Sequence, residues 1–313
     1  MRTRPPSSGH HRVADVLKSA KAPLRARLAG YVALTKPRII ELLLITTVPT
    51  MVVANGAMPG FWLMFNTVLG GTLAAGGANA INMYVDRDID KVMKRTQGRP
   101  LVTGVMSPRA ALTFAVVIEI LAFVWLWYWV NLLSAVLAVA ACLFYVFIYT
   151  LWLKRTSTHN IVIGGAAGAA PVLIGWSSVT NELSWAPVVL FALMFYWTPP
   201  HFWALAIKYK DDYASVDVPM LPSVASLKTT AQRILVYTVI LWGLSLVFSP
   251  VAEMGAIYLA SAVVLGGVFT AMTVKLWLEP SPKLAMRVFT FSITYVTLLF
   301  GAMAVDQLVA NAR

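Results

Sequence analysis

The chain has 313 residues, of which 59% are hydrophobic and only 12% charged, with a mean hydropathy of +0.73. A soluble domain carries about twice that charged share, which excludes a water-soluble globular fold. The formal net charge is +12, and its distribution assigns it to membrane orientation and anionic lipid rather than to nucleic acid.

Residues 1–30 read as a basic cytoplasmic tail, rich in Arg and Ser, with Asp15 as its acid. Such a composition suits an organelle transit segment or a tail lying on lipid. Its shortness favours a bacterial inner membrane. Residues 31–313 then form a single transmembrane domain. Apolar runs long enough to cross a bilayer recur at about 39–55, 61–83, 108–129, 132–152, 160–178, 184–207, 232–250, 254–275 and 288–309. Backbone groups in hydrocarbon must bond internally, so each run predicts a helix. The expected fold is therefore an all-α polytopic membrane protein, nine transmembrane helices around a central cavity. Of the 25 Lys and Arg residues, 24 fall before the first run, in the gaps after the second, fourth, sixth and eighth runs, or at the run ends that border those gaps. The alternate gaps and the C-terminus hold only Arg313. The positive-inside rule then puts the N-terminus and the basic loops in the cytoplasm and the C-terminus outside.

The second run ends in NAINMYVDRDIDKVMKRTQGRPL, Asn79 to Leu101. Three aspartates, Asp86, Asp88 and Asp90, fall within five residues, and Lys91, Lys94, Arg95 and Arg99 follow. Asn82, Asp86 and Asp90 are spaced by four, which on a helix places them on one face. Asp88 points to roughly the opposite side, because each helical residue turns by about 100°. Carboxylates on one face with cations just beyond suit Mg²⁺ and a polyphosphate, since Mg²⁺ takes one or two carboxylates and fills its remaining positions with phosphate oxygens. The plain alternative is a charged loop on the wet side of a membrane.

Further along, Glu119 lies in the middle of the third run with no evident partner. The lone cysteine, Cys142, lies in the fourth run and reads as a small buried residue; it rules out an intrachain disulfide and a thiolate cluster. Thr158 is placed to cap a helix beginning near His159 and Asn160. The stretch from Gly164 to Pro171, GGAAGAAP, lets helices approach closely, or leaves room for a flat macrocycle. Pro199 and Pro200 are expected to break or kink the sixth span. Beyond them, His201, Lys208 and Asp212 would share a face if the helix continued. With Asp211 they form a second acidic group on the same side of the membrane. His201 is either an acceptor contact or a hydrogen-bonded residue beside the proline kink.

A diphosphate ester recognised at a membrane surface points to a prenyl donor, with a charged head for the loops and an apolar tail for the helices. The leaving diphosphate would be neutralised by Mg²⁺, and the allylic cation shielded by Trp, Tyr and Phe.

At this point the chain resembles the UbiA-type family of intramembrane prenyltransferases. The resemblance runs from about residue 30 to the end. It rests on LTKPRIIELLLITTVP at 34–49, the 79–101 segment, YTLWLKRTSTHNIVIGGAAGAAPVLIGW at 149–176 and PHFWALAIKYKDDYASVDVPMLP at 200–222. The second half of these segments is similar to the branch of the family that farnesylates protohaem. The resemblance implies that farnesyl diphosphate reacts with the 2-vinyl group of protohaem IX, giving haem O and diphosphate. It implies that Asn82, Asp86, Asp90, Asp211 and Asp212 form the catalytic set, with metal on Asp86, Asp90 and Asp212. Lys94, Arg95, Arg99, Lys154 and Lys208 would contact phosphate, and His201 and Tyr149 the acceptor. Many members have Tyr and Lys four apart after the fourth span, whereas Tyr149 and Lys154 here are five apart. Mg²⁺, the bilayer and a downstream haem-modifying membrane enzyme that receives haem O are the implied partners. A quinone-precursor or other aromatic or tetrapyrrole acceptor on the same scaffold is the nearest alternative. A transporter is the alternative of another class, disfavoured because the carboxylates stand at helix ends rather than at the midplane.

Overall fold

The structure is a computed structural model that describes residues 23–310, with the side chains of 38–44 left aside. The basic tail up to residue 22, and Arg313, lie outside the described residues. Among the described residues there are helices and turns and no strand. The main helices are α1 (Leu24–Thr35), α2 (Pro37–Asn55), α3 (Phe61–Val85), α4 (Pro108–Trp129), α5 (Leu132–Leu143), α6 (Asn160–Thr180), α7 (Trp185–Lys208), α8 (Leu227–Val251), α9 (Ala256–Leu278) and α10 (Pro282–Ala310). A π-helix, Phe144–Leu153, prolongs α5 towards Lys154–Thr156.

Seven described helices are long and apolar enough to cross a membrane, those corresponding to α4 through α10 with the π segment included in the second. The sequence leads one to expect nine. For one of the other two, α3, the reason is its composition. Helix α3 has the length, 25 residues, but carries Asn66, Asn79 and Asn82 and two Gly pairs, which lower its hydropathy. Helix α2 has 19 residues, Pro37–Asn55, and its stretch Ile45–Asn55, where the side chains are described, is apolar. Both are nonetheless helical where the apolar runs lie.

Each helix packs on the next from α2 to α10, and α10 returns to pack on α2. Contacts of α2 with α6 and of α7 with α10 tie the two halves together. The largest buried cluster lies between α6, α7, α8, α9 and α10, around Trp197, Phe248, Tyr258, Phe269 and Tyr295. Outward-facing Leu, Val, Ile, Trp and Phe side chains on α4, α5 and α8 stay exposed, as expected where lipid rather than protein is the neighbour.

Small residues set the close approaches. A Cβ at Gly175 on α6 would come within 2.8 Å of the Thr47 carbonyl oxygen on α2. One at Gly165 would meet Thr198 of α7 at 2.9 Å, and one at Gly164 would enter the ring of Tyr149. Two positions of the Gly164–Pro171 stretch thus serve packing on neighbouring helices. Helix α7 runs through Pro199 and Pro200 without a break. Prolines are tolerated inside spans because neighbouring groups re-satisfy the freed backbone.

Candidate active site

Helix α3 ends at Val85, and Asp86 closes it with its N–H on the Asn82 carbonyl at 2.9 Å. The chain then turns into a short 3₁₀ segment, Ile89–Lys91, with Asp90 N–H on the Asp86 carbonyl at 2.9 Å. Asn82, Asp86 and Asp90 are therefore not on one continuous helix face, as the spacing predicts. The two four-residue backbone bonds nonetheless carry the same spiral past the helix end. All three are buried, with Asp86 0% and Asp90 2% exposed. Asp88, at 61%, faces outward and is held bidentately by Arg155 with both bonds at 2.7 Å. That pairing draws the Asp88 carboxyl down to about 2.

Two carboxylates in a buried site need counter-charge. Lys154 Nζ donates to Asp86 Oδ2, and Arg99 Nη1 donates to Asp90 Oδ2 at 2.5 Å. Lys36 Nζ donates to Asn82 Oδ1 at 3.0 Å. Burial, reinforced by the charges of Arg99 and Lys154, lowers the Lys36 ammonium to about 7. Lys36 reaches the site because the chain breaks there. It has φ of 52° between α1 and α2, and Pro37 opens α2. Proline disfavours the α region for the residue before it. Asp86 Oδ1 is buried with no hydrogen-bond partner, and Arg155 Nη2 stands 3.9 Å from it.

The fourth span supplies the other wall. In the π-helix, Lys154 N–H bonds to the Tyr149 carbonyl five residues back. The five-residue gap from Tyr149 to Lys154 is thus one turn of this wider helix. Thr150 accepts from Asn82 Nδ2 at 3.1 Å. Tyr145 and Tyr149 stack at 5.3 Å, and Tyr149 packs on Gly164.

The second loop meets the first at one point. Asp212 Oδ2 accepts from the Arg95 backbone N–H at 3.2 Å, and the Arg95 guanidinium lies over the Tyr209 ring at 5.5 Å. Burial pushes the neighbouring Tyr213 hydroxyl above its ordinary value. Helix α7 stops at Lys208, Tyr209 intervenes, and Lys210–Ala214 begins a new short helix. His201, Lys208 and Asp212 consequently do not share a helix face. Asp211 and Lys94 are exposed, and Lys208 extends over the Tyr209 ring at 5.5 Å. Among the described residues no group of three His, Cys, Asp or Glu side chains is close enough to cage a metal by itself.

His201 lies deeper in α7. Its ring stacks on Trp197 at 4.3 Å and tilts against Phe289 at 4.7 Å. His201 Nδ1 is 2.7 Å from Ser292 Oγ, which itself donates to the Phe289 carbonyl at 2.6 Å. The serine proton is thereby committed, so Nδ1 carries the histidine proton and Nε2 the lone pair. Thr158 does not cap α6: His159 is the N-cap without a side-chain bond, and Ser157 Oγ accepts from His159 N–H at 3.1 Å. Glu119 Oε1 is buried without a hydrogen-bond partner, against the gap left by Gly77.

Of the residues expected from the sequence, the structure gathers Asn82, Asp86, Asp90, Arg99 and Lys154. It joins Arg95 to Asp212 and leaves Lys94, Lys208, Asp211 and His201 apart from the carboxylates. Sequence reasoning missed Lys36, Thr150 and Tyr145. The Lys36–Pro37 step was the available signal for the first.

Residues 43–298 match the UbiA prenyltransferase family. Among solved structures, the chain is similar to a digeranylgeranylglyceryl phosphate synthase, with a TM-score of 0.74 at 18% identity over 90% of this chain and 99% of that one. It is also similar to a UbiA homologue from Archaeoglobus fulgidus bound to DMAPP and Mg²⁺, with a TM-score of 0.63 at 15% identity over 88% and 99%. At these identities the likeness is one of fold. Sequence relatives are nearer. A protoheme IX farnesyltransferase from Clavibacter michiganensis is 53% identical over 89% of this chain and 92% of its own. One from a Parafrankia species is 53% identical over 92% and 93%, and one from Streptomyces avermitilis 52% over 91% and 95%. The chain belongs to the UbiA prenyltransferase family of multi-pass membrane proteins.

Proposed function

We propose that this chain transfers the farnesyl group of farnesyl diphosphate to the 2-vinyl group of protohaem IX, giving haem O and diphosphate. The acceptor and donor follow from the relatives about half identical over nearly the whole chain. The observation that carries the chemistry is the buried pair Asp86 and Asp90, ringed by Lys36, Arg99 and Lys154.

The donor set fits Mg²⁺. Asp86 Oδ1 is an anionic oxygen without a hydrogen-bond partner, and two carboxylates suffice for an ion that completes its shell with water and phosphate. Asp86 and Asp90 would hold it, with Asp212 on the facing loop. When bound, the ion neutralises charge on the leaving diphosphate. Lys154 and Arg99 stand on the carboxylates as counter-ions and would be available to phosphate oxygens with the metal bound. Arg95, Lys94 and Lys208 extend that cationic surface along the loops, and Asp211 stands beside Asp212.

The C1–O bond of the donor breaks and its electron pair leaves with the diphosphate. The vinyl π electrons form the new carbon–carbon bond at C1. The cation left on the other vinyl carbon takes hydroxide from water, which releases one proton. The stacked Tyr145 and Tyr149 rings offer π faces to the allylic cation and exclude water from it. On the acceptor side, His201 presents the lone pair of Nε2 to the haem, its tautomer set by Ser292.

The protein works in a bacterial inner membrane, with nine spans, the catalytic loops cytoplasmic and the C-terminus outside. Haem O then passes to a downstream haem-modifying membrane enzyme. Supplying purified protein with farnesyl diphosphate and Mg²⁺, and with protohaem and an aromatic quinone precursor in parallel, tests the reading. Mass spectrometry should find farnesyl on haem alone. Farnesyl on the aromatic acid, with haem untouched, would move the chain to another branch of its family.

A further inference from the structure

Thr150 has no role in the scheme above, and its surroundings are unusual. Four other buried helical threonines bond back four residues: Thr50 to Thr46, Thr67 to Leu63, Thr198 to Met194 and Thr238 to Ile234. Thr150 Oγ1 instead donates to the Tyr145 carbonyl, five residues back, at 2.8 Å. The wider turn of the π-helix makes that reach possible, and such turns recur at functional sites. Thr150 is fully buried.

The hydrogen-bond accounting around it closes. A hydroxyl has one proton and two lone pairs. The Thr150 proton goes to Tyr145, which leaves oxygen to accept from Asn82 Nδ2 at 3.1 Å. The same amide nitrogen donates its other proton to Asp86 Oδ2 at 2.9 Å. Both amide protons are then spent, and Asn82 can turn only Oδ1 to the cation side. There Lys36 Nζ meets it at 3.0 Å.

We propose that Thr150 is a positioning residue for the metal–diphosphate site: it locks the Asn82 amide so that Oδ1 faces the cation and the amide nitrogen does not. The inference rests on the proposed Mg²⁺–diphosphate reading. The π-helix is what brings the hydroxyl to Asn82 while the same turn brings Lys154 to Asp86. Without the hydroxyl, the amide loses one anchor and can rotate, presenting N–H to a cation for part of the time.

Mn²⁺, a paramagnetic stand-in for Mg²⁺, can be titrated into detergent-purified protein with inorganic diphosphate present and followed by electron paramagnetic resonance. Thr150→Val keeps the shape and removes the hydroxyl, and should weaken Mn²⁺ binding about 3- to 30-fold, the range for losing one buried hydrogen bond. Thr150→Ser keeps the hydroxyl and should bind within about 2-fold of the unmodified protein, well inside that range. The Mg²⁺ concentration for half-maximal turnover should rise in step in Thr150→Val. If that variant is not recovered folded, Thr150→Ala reads the same loss. Unchanged Mn²⁺ affinity in a hydroxyl-free variant, whether or not its melting temperature falls, overturns the inference, as does equal loss in Thr150→Ser. Absence of Mn²⁺ binding in the unmodified protein overturns the metal reading itself, and this inference with it.

Discussion

Direction, not charge, separates the three aspartates of the first loop. Asp86 and Asp90 point into the protein against Lys154 and Arg99, whereas Asp88 points out to Arg155. Asp86→Asn or Asp90→Asn removes an anionic ligand with little change of shape, and kcat for haem O formation should fall about 100- to 1,000-fold, the range for losing one preorganised electrostatic contact. Asp88→Asn loses an exposed ion pair, which is worth about 0–1 kcal/mol, and activity should stay within several-fold. Steady-state assays of the three variants decide it, and equal losses would mean that Asp88 also serves the reaction. The Asn–Asp–Asp spacing of Asn82, Asp86 and Asp90 was readable because charge is rare at a membrane edge. Lys36 was hidden among the cations of the N-terminal stretch, with only the following proline to mark a break. Thr150 was unreadable, since one hydroxyl in an apolar run has no period and a π turn leaves no simple pattern.

At the scale of elements, apolar length located the helices, and several of their ends, such as those of Pro108–Trp129 and Trp185–Lys208, to within a residue or two. Prolines 199 and 200 suggested an interruption, yet α7 stops eight residues beyond Pro200, at Lys208. The stop displaced Asp212 from the face of His201 and turned it to the first loop. One tertiary cap was invisible from local sequence. Asp306, buried in α10, accepts from the backbone N–H groups of Gly255 at 2.5 Å, Ile257 at 3.0 Å and Tyr258 at 3.3 Å. It thus supplies from 50 residues away the anionic cap that the start of α9 lacks in its own sequence. Asp306→Asn keeps the shape but loses the charge, and should lower stability by about 1–2 kcal/mol. Thermal unfolding in detergent would register that loss, while affinity for farnesyl diphosphate, bound at the far loops, should not change. A change in donor affinity would tie this end of the bundle to the site.

For the molecule as a whole, the separation of 24 cations from one is the strongest topological signal, and under the positive-inside rule it is what the proposed odd number of spans rests on. Seven helices meet the length and apolarity of a span. Helices α2 and α3 occupy the first two apolar runs of the sequence, and the nine-span topology proposed above counts them with these seven. Reporter fusions after Lys91 and after Ala310 should lie on opposite sides of the membrane, and a shared side would end the nine-span topology. The carboxylates at the end of α3 matter only if that end faces the compartment that supplies diphosphate and Mg²⁺. The most direct test of the account is the stoichiometry of product formation by purified protein, haem O by mass spectrometry against diphosphate released. The account predicts equal amounts with Mg²⁺ present, neither product after chelation, and both reduced about 100- to 1,000-fold together in Asp86→Asn. Haem O formed at an undiminished rate without a divalent cation, or diphosphate released with no farnesyl on haem, would contradict it.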